Sequence, residues 1–374
     1  MPTKRLKTEM EISDFVRGCT FLGTGGGGSP DIGRQFLTEC LKEGKEVGWI
    51  DVSEMKDDVW TCTPFYMGSI APQGEQAKEK MRQLGLSQEK VARPAVSAVK
   101  VLEEYTQTKV GAIVAFEIGG INTPAPMDVA ARLGIPTVDA DASGRALPEV
   151  VQGLVCLNQK KATPITCCDQ WGNVTIIKEA ANYATAEMLG KLISLLSFGL
   201  CGEAGFLLKW QEVKDVLIPG TLSRAYNIGR AIREARESGA DPVAAAIAAV
   251  EGWRLFTGVV AKRETEDREG YYWGINTIEG TDKFKGHTMK IFFKNENHVT
   301  WLDDQVYVTS PDIIEVVALK TAEPITNTDL KEGDTVAVIG AKNEKYRTKE
   351  GIEIIGPKHY GYDIEYVPIE NRVK

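Results

Sequence analysis

The first 165 residues alternate between apolar runs of strand length and amphipathic runs of helix length. Runs at 110–116 and 135–138 are continuously apolar, as in strands whose two faces are both covered. Strand-like segments also lie at 47–51 and 60–67, and helical patterns occupy residues 11–18, 30–42, 74–84, 94–106 and 126–133. This alternation predicts a three-layer α/β domain with a mostly parallel sheet over residues 1–165.

The pattern changes in the second part of the chain. Strand-like segments at 163–168 and 174–178 are followed by helical patterns at 180–198, 221–237 and 241–252. From residue 256 onward, short alternating strands are separated by Gly, Asn, Asp and Pro turns. We therefore expect residues 166–374 to form a β-rich, barrel-like domain with a helical insertion at about 180–252.

The longest apolar stretch, residues 189–208, is interrupted by Lys191, Glu203 and three glycines. This composition favours a buried helix followed by a turn over a membrane span. The chain has 374 residues, which favours two domains over one.

Charge and cysteine content narrow the classes of function. The net charge is −8 and no basic cluster extends beyond residues 4–7, so a nucleic-acid partner is not expected. The first residues lack the apolar segment of a secretory signal, and the seven cysteines are scattered without zinc or redox spacing. We expect a cytoplasmic protein with reduced thiols that acts on a small molecule and contacts no membrane.

A run of glycines gives the first candidate binding site. Gly25, Gly26, Gly27 and Gly28 leave their backbone amides uncovered, and a helix is predicted to begin directly after them, at Pro30. The amides and the positive end of that helix favour an anion or a developing oxyanion. These four glycines are therefore predicted to bind substrate.

The same run also fits the dinucleotide fingerprint, since Gly23, Gly25 and Gly28 have the spacing G-x-G-x-x-G. Pro30 argues against this alternative, because a proline inside the helix of a Rossmann turn would cost about 3 kcal/mol. The segment before the glycines, residues 19–22, offers at most a very short strand. An NAD-dependent oxidoreductase is thus the third hypothesis.

Carboxylates follow two of the predicted strands at their carboxyl ends, where open α/β sheets bind ligands. Glu117 and Asn122 follow the strand at 110–116, and Asp139, Asp141 and Arg145 follow the strand at 135–138. One of the carboxylates could act as a general base, Arg145 could bind a substrate carboxylate and Asn122 an amide. In a structural alternative, Asp139 or Asp141 caps the next helix and Arg145 pairs with Glu149.

Two further residues complete the candidate site. Ser69 follows the strand at 60–67, and His359 lies in a segment rich in glycine and aromatic residues. His298 and His287 are expected on the surface or in turns. No cofactor is certain, although a divalent metal held by Asp139, Asp141 and His359 is an alternative that the residue types allow.

Four segments together resemble one family. They are the glycine run at 23–28, residues 117–122, the motif Asp139-Ala-Asp141-x-x-Gly144-Arg145-Ala146-x-Pro148-Glu149, and the closing Gly356-Pro-x-x-x-Gly361-Tyr-Asp-x-x-Tyr366-x-Pro368. In this order they resemble the S-methyl-thiohydantoin desulfurase family over nearly the whole chain. The resemblance implies an α/β domain followed by a β-rich domain.

In function, the resemblance implies a hydrolase that adds water to a thiohydantoin ring carbon and expels a thiol. It also implies an association with hydantoinase-type subunits. The leading hypothesis is therefore a hydrolase of hydantoin-like or S-methyl-thiohydantoin-like rings. The second is an accessory or ligand-binding subunit of a hydantoinase-type complex, and in either case we expect a homo-oligomer.

Overall fold

Strands from the first 219 residues build one mixed sheet, and strands from the last 122 build a second, antiparallel sheet. The computed structural model describes residues 3–68 and 75–373. Within these residues, the first sheet has nine strands and the second has seven. The α/β and β-rich architecture predicted from the sequence is confirmed.

The first sheet is parallel at its centre and antiparallel at its sides. Its strands are β1 (Lys4–Arg5), β2 (Gly48–Ile50), β3 (Trp60–Gly68), β4 (Ala112–Ala115), β5 (Thr137–Asp141), β6 (Ile165–Cys168), β7 (Val174–Ile177), β8 (Leu200–Lys209) and β9 (Ile218–Pro219). They lie in the order β1-β2-β5-β4-β3-β8-β6-β7, and β9 pairs with β5. β2, β5, β4 and β3 are mutually parallel. The predicted domain boundary at residue 165 stays a prediction. Strands from both sides of this residue belong to the same sheet.

Helices cover both faces of the first sheet. They are α1 (Glu9–Leu22), α2 (Pro30–Lys42), α3 (Glu75–Gln83), α4 (Pro94–Thr106), α5 (Pro124–Leu133), α6 (Leu154–Leu157), α7 (Tyr183–Ser197), α8 (Trp210–Val213), α9 (Thr221–Ser238) and α10 (Pro242–Val250), and α11 (Lys349–Ile355) follows the second sheet. α2 and α4 begin at a proline, where the missing amide hydrogen costs nothing. None of the helices in the described residues is both long and apolar enough to cross a bilayer.

The second sheet is curled and entirely antiparallel. Its strands are β10 (Trp253–Arg268), β11 (Tyr271–Gly280), β12 (Thr288–Lys294), β13 (Glu296–Leu302), β14 (Gln305–Thr309), β15 (Ile313–Ala318) and β16 (Thr335–Ala341). The order is β14-β13-β12-β11-β10-β16-β15, with register shifts in β10, β12 and β13. Such irregularities bend strands and increase their twist, which curls the sheet into a half-barrel.

One apolar core joins the two sheets through the helical layer between them. Phe15 of α1 stacks on Trp49 of β2, with ring centroids 5.2 Å apart. The same cluster includes Ile228 of α9 and reaches Ile313 and Ile339 of the second sheet. The helices α1, α9 and α10 therefore hold the second sheet against the first.

Two local predictions are wrong. Residues 19–22, which the sequence allowed as a very short strand, form the last turn of α1. All four side chains are buried on the side of the helix that faces the protein. Residues 189–208 comprise the end of α7 and the strand β8, where a helix followed by a turn was expected. α7 also leaves several leucines exposed, among them Leu195 at 70% and Leu196 at 75%.

α1 and α9 approach each other closely through glycines. A Cβ atom on Gly18 would lie 1.7 Å from the carbonyl oxygen of Ala225, and one on Gly229 would lie 1.7 Å from that of Asp14. The backbones are therefore in direct contact at two points. Asp14 is fully buried beside this contact and accepts hydrogen bonds from Arg17 and Arg233.

Gly229→Ala is expected to destabilise the protein, because the added methyl group must push α9 away from α1. We expect the free energy of unfolding to fall by at least about 2 kcal/mol. Urea denaturation followed by circular dichroism measures it. The matched control is Ser238→Ala at the exposed end of the same helix, which should change the free energy by less than about 0.5 kcal/mol. Equal effects from the two substitutions would contradict the close contact.

Candidate functional site

The glycine loop and the loop after β4 are in direct contact. The backbone amides of Ile121 and Asn122 both donate to the carbonyl oxygen of Gly27, at 3.0 and 3.3 Å. A Cβ atom on Gly27 would lie 2.5 Å from the Cα atom of Gly119. The structure therefore brings together Gly27, Asn122 and the loop that begins at Glu117.

The second sheet holds the other side of the glycine loop. The amide of Asn297 donates to the carbonyl of Thr24 at 2.7 Å, and the amide of Asn327 donates to that of Gly25 at 2.7 Å. A Cβ atom on Gly26 would lie 2.0 Å from Oε1 of Glu296. The loop thus lies between the two sheets, and glycine is required because a side chain would collide with its neighbours.

Part of the predicted anion pocket is already used within the protein. The amide of Gly26 donates to the carbonyl of Gly23 at 2.9 Å, and that of Gly27 donates to Oε1 of Glu296 at 3.2 Å. Gly25, Gly27 and Gly28 have positive φ angles, a conformation that glycine adopts without strain. The loop therefore presents its backbone atoms to the carboxyl group of Glu296.

Glu117 is held by two donors at the end of β4. Its Oε1 accepts from the side-chain amide of Asn122, and its Oε2 accepts from the amide of Leu147 at 2.6 Å. The residue is 8% exposed. Burial raises the pKa of its carboxyl group to about 8, although both hydrogen bonds act to lower it.

Glu296, at the start of β13, is the second carboxyl group of the site. Its Oε1 accepts from Gly27, while its Oε2 is buried without a hydrogen-bond partner. Burial raises its pKa well above the usual range, and the nearby charge of Glu117 raises it further. A proton therefore stays on Glu296 under conditions in which an ordinary glutamate is ionised.

Glu315 on β15 adds a third buried carboxyl group, near Gly25. Burial raises the pKa of its carboxyl group well above the usual range, although the nearby backbone amide of Gly25 and the charge of Arg145 act to lower it. Burial therefore favours the protonated form of Glu315.

Arg145 is fully buried, and its guanidinium group is surrounded by hydrogen-bond acceptors. Its Nη2 donates to Thr24 Oγ1 at 2.8 Å and to the carbonyl of Asn297 at 3.1 Å. Its Nε and Nη1 donate to backbone carbonyls of Ala146, Pro311 and Asp312. The guanidinium group thereby ties the loop after β5 to the glycine loop and the second sheet. The predicted clamping of a substrate carboxylate by Arg145 stays a prediction.

Asp139 caps α9 from outside the helix. Its Oδ1 accepts from the amides of Leu222 and Ser223, at 2.8 and 3.1 Å, and its Oδ2 accepts from the hydroxyl of Ser223. These are first-turn amides that lack partners inside the helix. This geometry agrees with the structural alternative, in which Asp139 caps a helix.

Asp141 organises the loop that follows β5. Its Oδ2 accepts from the amides of Ser143 and Gly144 and from the Ser143 hydroxyl, at 2.8–3.0 Å. Its Oδ1 is buried without a hydrogen-bond partner, and burial raises its pKa to about 6. A catalytic role for Asp139 or Asp141 stays a prediction.

His359 lies at the exposed edge of the site. Its Nε2 is 3.2 Å from Oε2 of Glu149, whose other oxygen accepts from Lys294. Although burial raises the pKa of Glu149, the hydrogen bonds from His359 and Lys294 hold it at about 2. Glu149 therefore pairs with His359 and Lys294, and the alternative in which it pairs with Arg145 is wrong.

His298 is fully buried, contrary to the expectation of a surface position. It stacks on Tyr360, with ring centroids 3.9 Å apart, because the segment carrying His359 folds over β13. Burial lowers the pKa of its imidazole well below the usual range. The ring is therefore neutral.

The proposed metal ligands are not brought together. Asp139 caps α9, Asp141 binds its own loop and His359 pairs with Glu149. Across residues 3–68 and 75–373, no group of three or more His, Cys, Asp or Glu side chains is arranged to hold a metal ion. Ser69, the remaining predicted substrate-binding residue, lies outside the described residues.

The glycine run lacks the surroundings of a dinucleotide fingerprint. It connects two helices, α1 and α2, whereas the fingerprint requires a strand before the first glycine. α2 begins at Pro30, after the whole run, as the argument from proline predicts. The local structure therefore gives the oxidoreductase hypothesis no support.

Sequence reasoning missed Glu296 and Glu315, which both lie on strands of the second sheet. A signal for Glu296 is present in the chain. Residues 294–298 are five successive polar residues between the apolar Phe293 and Val299, within a region of otherwise alternating strands. Such a run in a β region indicates a functional or tightly bonded segment.

Asp139→Ala is expected to destabilise α9, because two first-turn amides lose their acceptor. The free energy of unfolding should fall by about 1–2 kcal/mol, as measured by urea denaturation. Asp139→Asn is the matched control, since its side-chain oxygen still accepts from the same amides and should preserve most of the stability. An unchanged free energy in Asp139→Ala would contradict the capping role.

Comparisons with known proteins agree with this architecture. The S-Me-THD-like N-terminal domain matches residues 10–179, and the S-Me-THD-like C-terminal domain matches residues 181–369. A crystal structure of a protein from Chromobacterium violaceum matches 98% of this chain and 100% of that chain, with a TM-score of 0.78 and 20% sequence identity. At this identity the likeness shows the fold alone. The search of curated proteins found no match. The two family models together span nearly the whole sequence, and the chain belongs to the S-Me-THD-like family.

Proposed function

We propose that the protein hydrolyses an S-methyl-thiohydantoin-like ring, replacing the methylthio group by oxygen and releasing methanethiol. Membership of the S-Me-THD-like family supports this choice of substrate class. The observation that carries the proposal is a pair of buried carboxyl groups. Glu296 accepts from Gly27, and Glu117 begins the loop whose Asn122 amide donates to the same glycine. Two carboxyl groups whose surroundings differ suit a reaction that needs one acid and one base.

Their hydrogen bonds support a different role for each residue. Glu117 accepts two hydrogen bonds, from Asn122 and Leu147, which stabilise its anion, and it is the more exposed of the pair. Glu296 accepts one, from Gly27, and is more deeply buried. Because two adjacent buried carboxylates cannot both ionise cheaply, Glu117 is the one that loses its proton as the pH rises towards its pKa of about 8, and Glu296 keeps its proton.

The reaction then balances with these two residues. The oxygen of a water molecule bonds to the ring carbon that carries sulfur, Glu117 accepts one proton of that water, and Glu296 donates its proton to the ring nitrogen. As the C–S bond breaks, the leaving thiolate takes the proton from Glu117. The proton of the new hydroxyl group returns to Glu296 while the ring carbonyl forms, so both carboxyl groups regain their initial states.

The neighbouring residues fix this pair in place. Asn122 orients Glu117, and Arg145 holds the glycine loop through Thr24 Oγ1. Glycine at residues 25–28 lets the loop backbone pass close to Glu296 and Ile121, because a Cβ atom at any of these positions would collide with a neighbouring residue. Asp139 and Asp141 position α9 and the loop after β5 in this proposal.

Glu296→Gln and Glu117→Gln are each expected to lower the turnover of an S-methyl-thiohydantoin by at least about 100-fold, because either change removes an acid or a base. Released methanethiol is measured with a thiol reagent. Glu203→Gln is the matched control, since burial also raises the pKa of Glu203 to about 8, but this residue lies on β8 outside the site. Full activity in both site variants, or a purified wild-type chain that stays inert, would contradict the proposal.

The pH dependence should follow Glu117. Since its pKa is about 8, the rate at low substrate is expected to rise with pH towards about 8, and Glu117→Gln should lose this dependence.

The free energy of unfolding gives a second test, because the raised pKa of Glu117 determines the direction in which stability changes with pH. The folded pKa lies above the ordinary value of 4.5, so the stabilising contribution is complete below pH 4.5 and is lost as the pH rises to about 8.

Compared with the wild type, Glu117→Gln should therefore gain relative stability between pH 5 and pH 9. Urea denaturation at the two pH values measures this gain. A constant difference between the two proteins would show that the pKa of Glu117 is not raised.

A further inference from the structure

One side of α7 exposes an uninterrupted row of large apolar side chains. Met188, Leu189, Leu192, Leu195 and Leu196 are 64%, 37%, 57%, 70% and 75% exposed. Their spacing of three, four and seven residues places them on one side of a helix. We call these five residues the leucine face.

The opposite side of α7 is fixed, so the helix cannot roll to bury the leucine face. A Cβ atom on Gly190 would lie 2.6 Å from Oε1 of Glu203, which means that the helix lies directly on β8. Glu187 accepts from the amide of Val150 and from the hydroxyl of Tyr271, both at 2.9 Å. These buried polar contacts determine which side of α7 faces outward.

The leucine face is large for a surface that meets water. Its five side chains offer on the order of 500 Å² of apolar surface, near the upper limit of about 600 Å² for the largest patch on a typical monomer. A standard interface buries about 800 Å² on each partner. The leucine face thus supplies most of the area that one side of a stable interface needs.

The leucine face also carries no charge. The charged residues of α7 are Glu187 and Lys191, which pair with each other at 3.0 Å and turn towards the protein. Lys191 lies over the ring of Tyr271, 3.5 Å from its centroid. Two copies of this surface can therefore meet without bringing like charges together.

We propose that the leucine face binds the same face of a second copy of this chain, with the two α7 helices packed antiparallel about a twofold axis. The surface is self-complementary, because it is apolar and uncharged on both copies. A lipid surface fits less well, since membrane-bound helices carry basic residues beside their apolar side and this protein has a net charge of −8. The inference is independent of the reaction proposed above.

Sedimentation velocity across micromolar concentrations tests the proposal. The wild-type chain is expected to be a dimer, and Leu195→Glu should raise the dissociation constant at least about 100-fold, because it buries a charge in the interface. Met10→Glu is the matched control, since Met10 is 50% exposed on α1 and lies outside the leucine face. A monomeric wild type, or equal dissociation of the two variants, would overturn the proposal.

A cysteine at the centre of the leucine face tests the arrangement itself. All seven native cysteines are buried, so Leu192→Cys introduces a readily oxidised thiol. With diamide as the oxidant, the introduced thiols of two chains should form a disulfide across the twofold axis. The cross-linked product should have twice the mass of one chain on a non-reducing gel. Met10→Cys should remain monomeric under the same treatment, and an absence of cross-linked Leu192→Cys would exclude the antiparallel arrangement.

Vesicles that contain phosphatidylserine provide the competing test. The wild type is expected to stay with the soluble fraction in a flotation gradient. Flotation of the wild type that Leu195→Glu abolishes would overturn the proposal in favour of a lipid surface.

Discussion

The contact between the carboxyl group of Glu296 and the glycine backbone at residues 26 and 27 determines how the site is assembled. Oε1 of Glu296 occupies the position that a side chain on Gly26 would need, and it accepts a hydrogen bond from the amide of Gly27. Glu296 belongs to the second sheet, while the glycine loop connects two helices that cover the first. The contact therefore joins the two halves of the molecule at the point where the candidate chemistry lies.

This contact is energetically costly, and its surroundings show how the cost is reduced. Burying an ionised carboxylate without a full set of partners is unfavourable, so the group remains protonated instead. Arg145 lowers the pKa values of Glu117 and Glu296 through its charge, although burial still dominates and both stay raised. The result is an acidic cluster that retains protons near neutral pH. A purely structural contact would be served as well by an amide, which favours a chemical use for the acid.

The sequence predicted local features well where a single residue decides them. Pro30 and Pro94 mark the first residues of α2 and α4, because proline is tolerated only at the start of a helix. The sequence predicts that Glu117 and Asn122 share one site, because both follow the same buried strand. Glu296 could not be found in this way, since 269 residues separate it from Gly27 and their contact depends on how the second sheet docks.

The same limit applies to Asp139 and α7. A carboxylate after a parallel strand can face a ligand or the first turn of a helix, and only the position of α9 decides between them. An apolar stretch such as residues 189–208 does not reveal which of its sides is covered. Glu187 and Gly190 decide this for α7, and their partners lie in distant parts of the chain.

The inward side of α7 has a consequence for the candidate site. Glu187 binds the amide of Val150, the residue directly after Glu149, and also binds the hydroxyl of Tyr271. The ring of Tyr271 lies 4.0 Å from Nζ of Lys294, which together with His359 holds Glu149. A partner that covers the leucine face and restrains α7 would therefore also restrain the segment at the edge of the site. Because α7 contacts this edge through polar side chains and the proposed partner through apolar ones, association and catalysis can be altered separately by substitution.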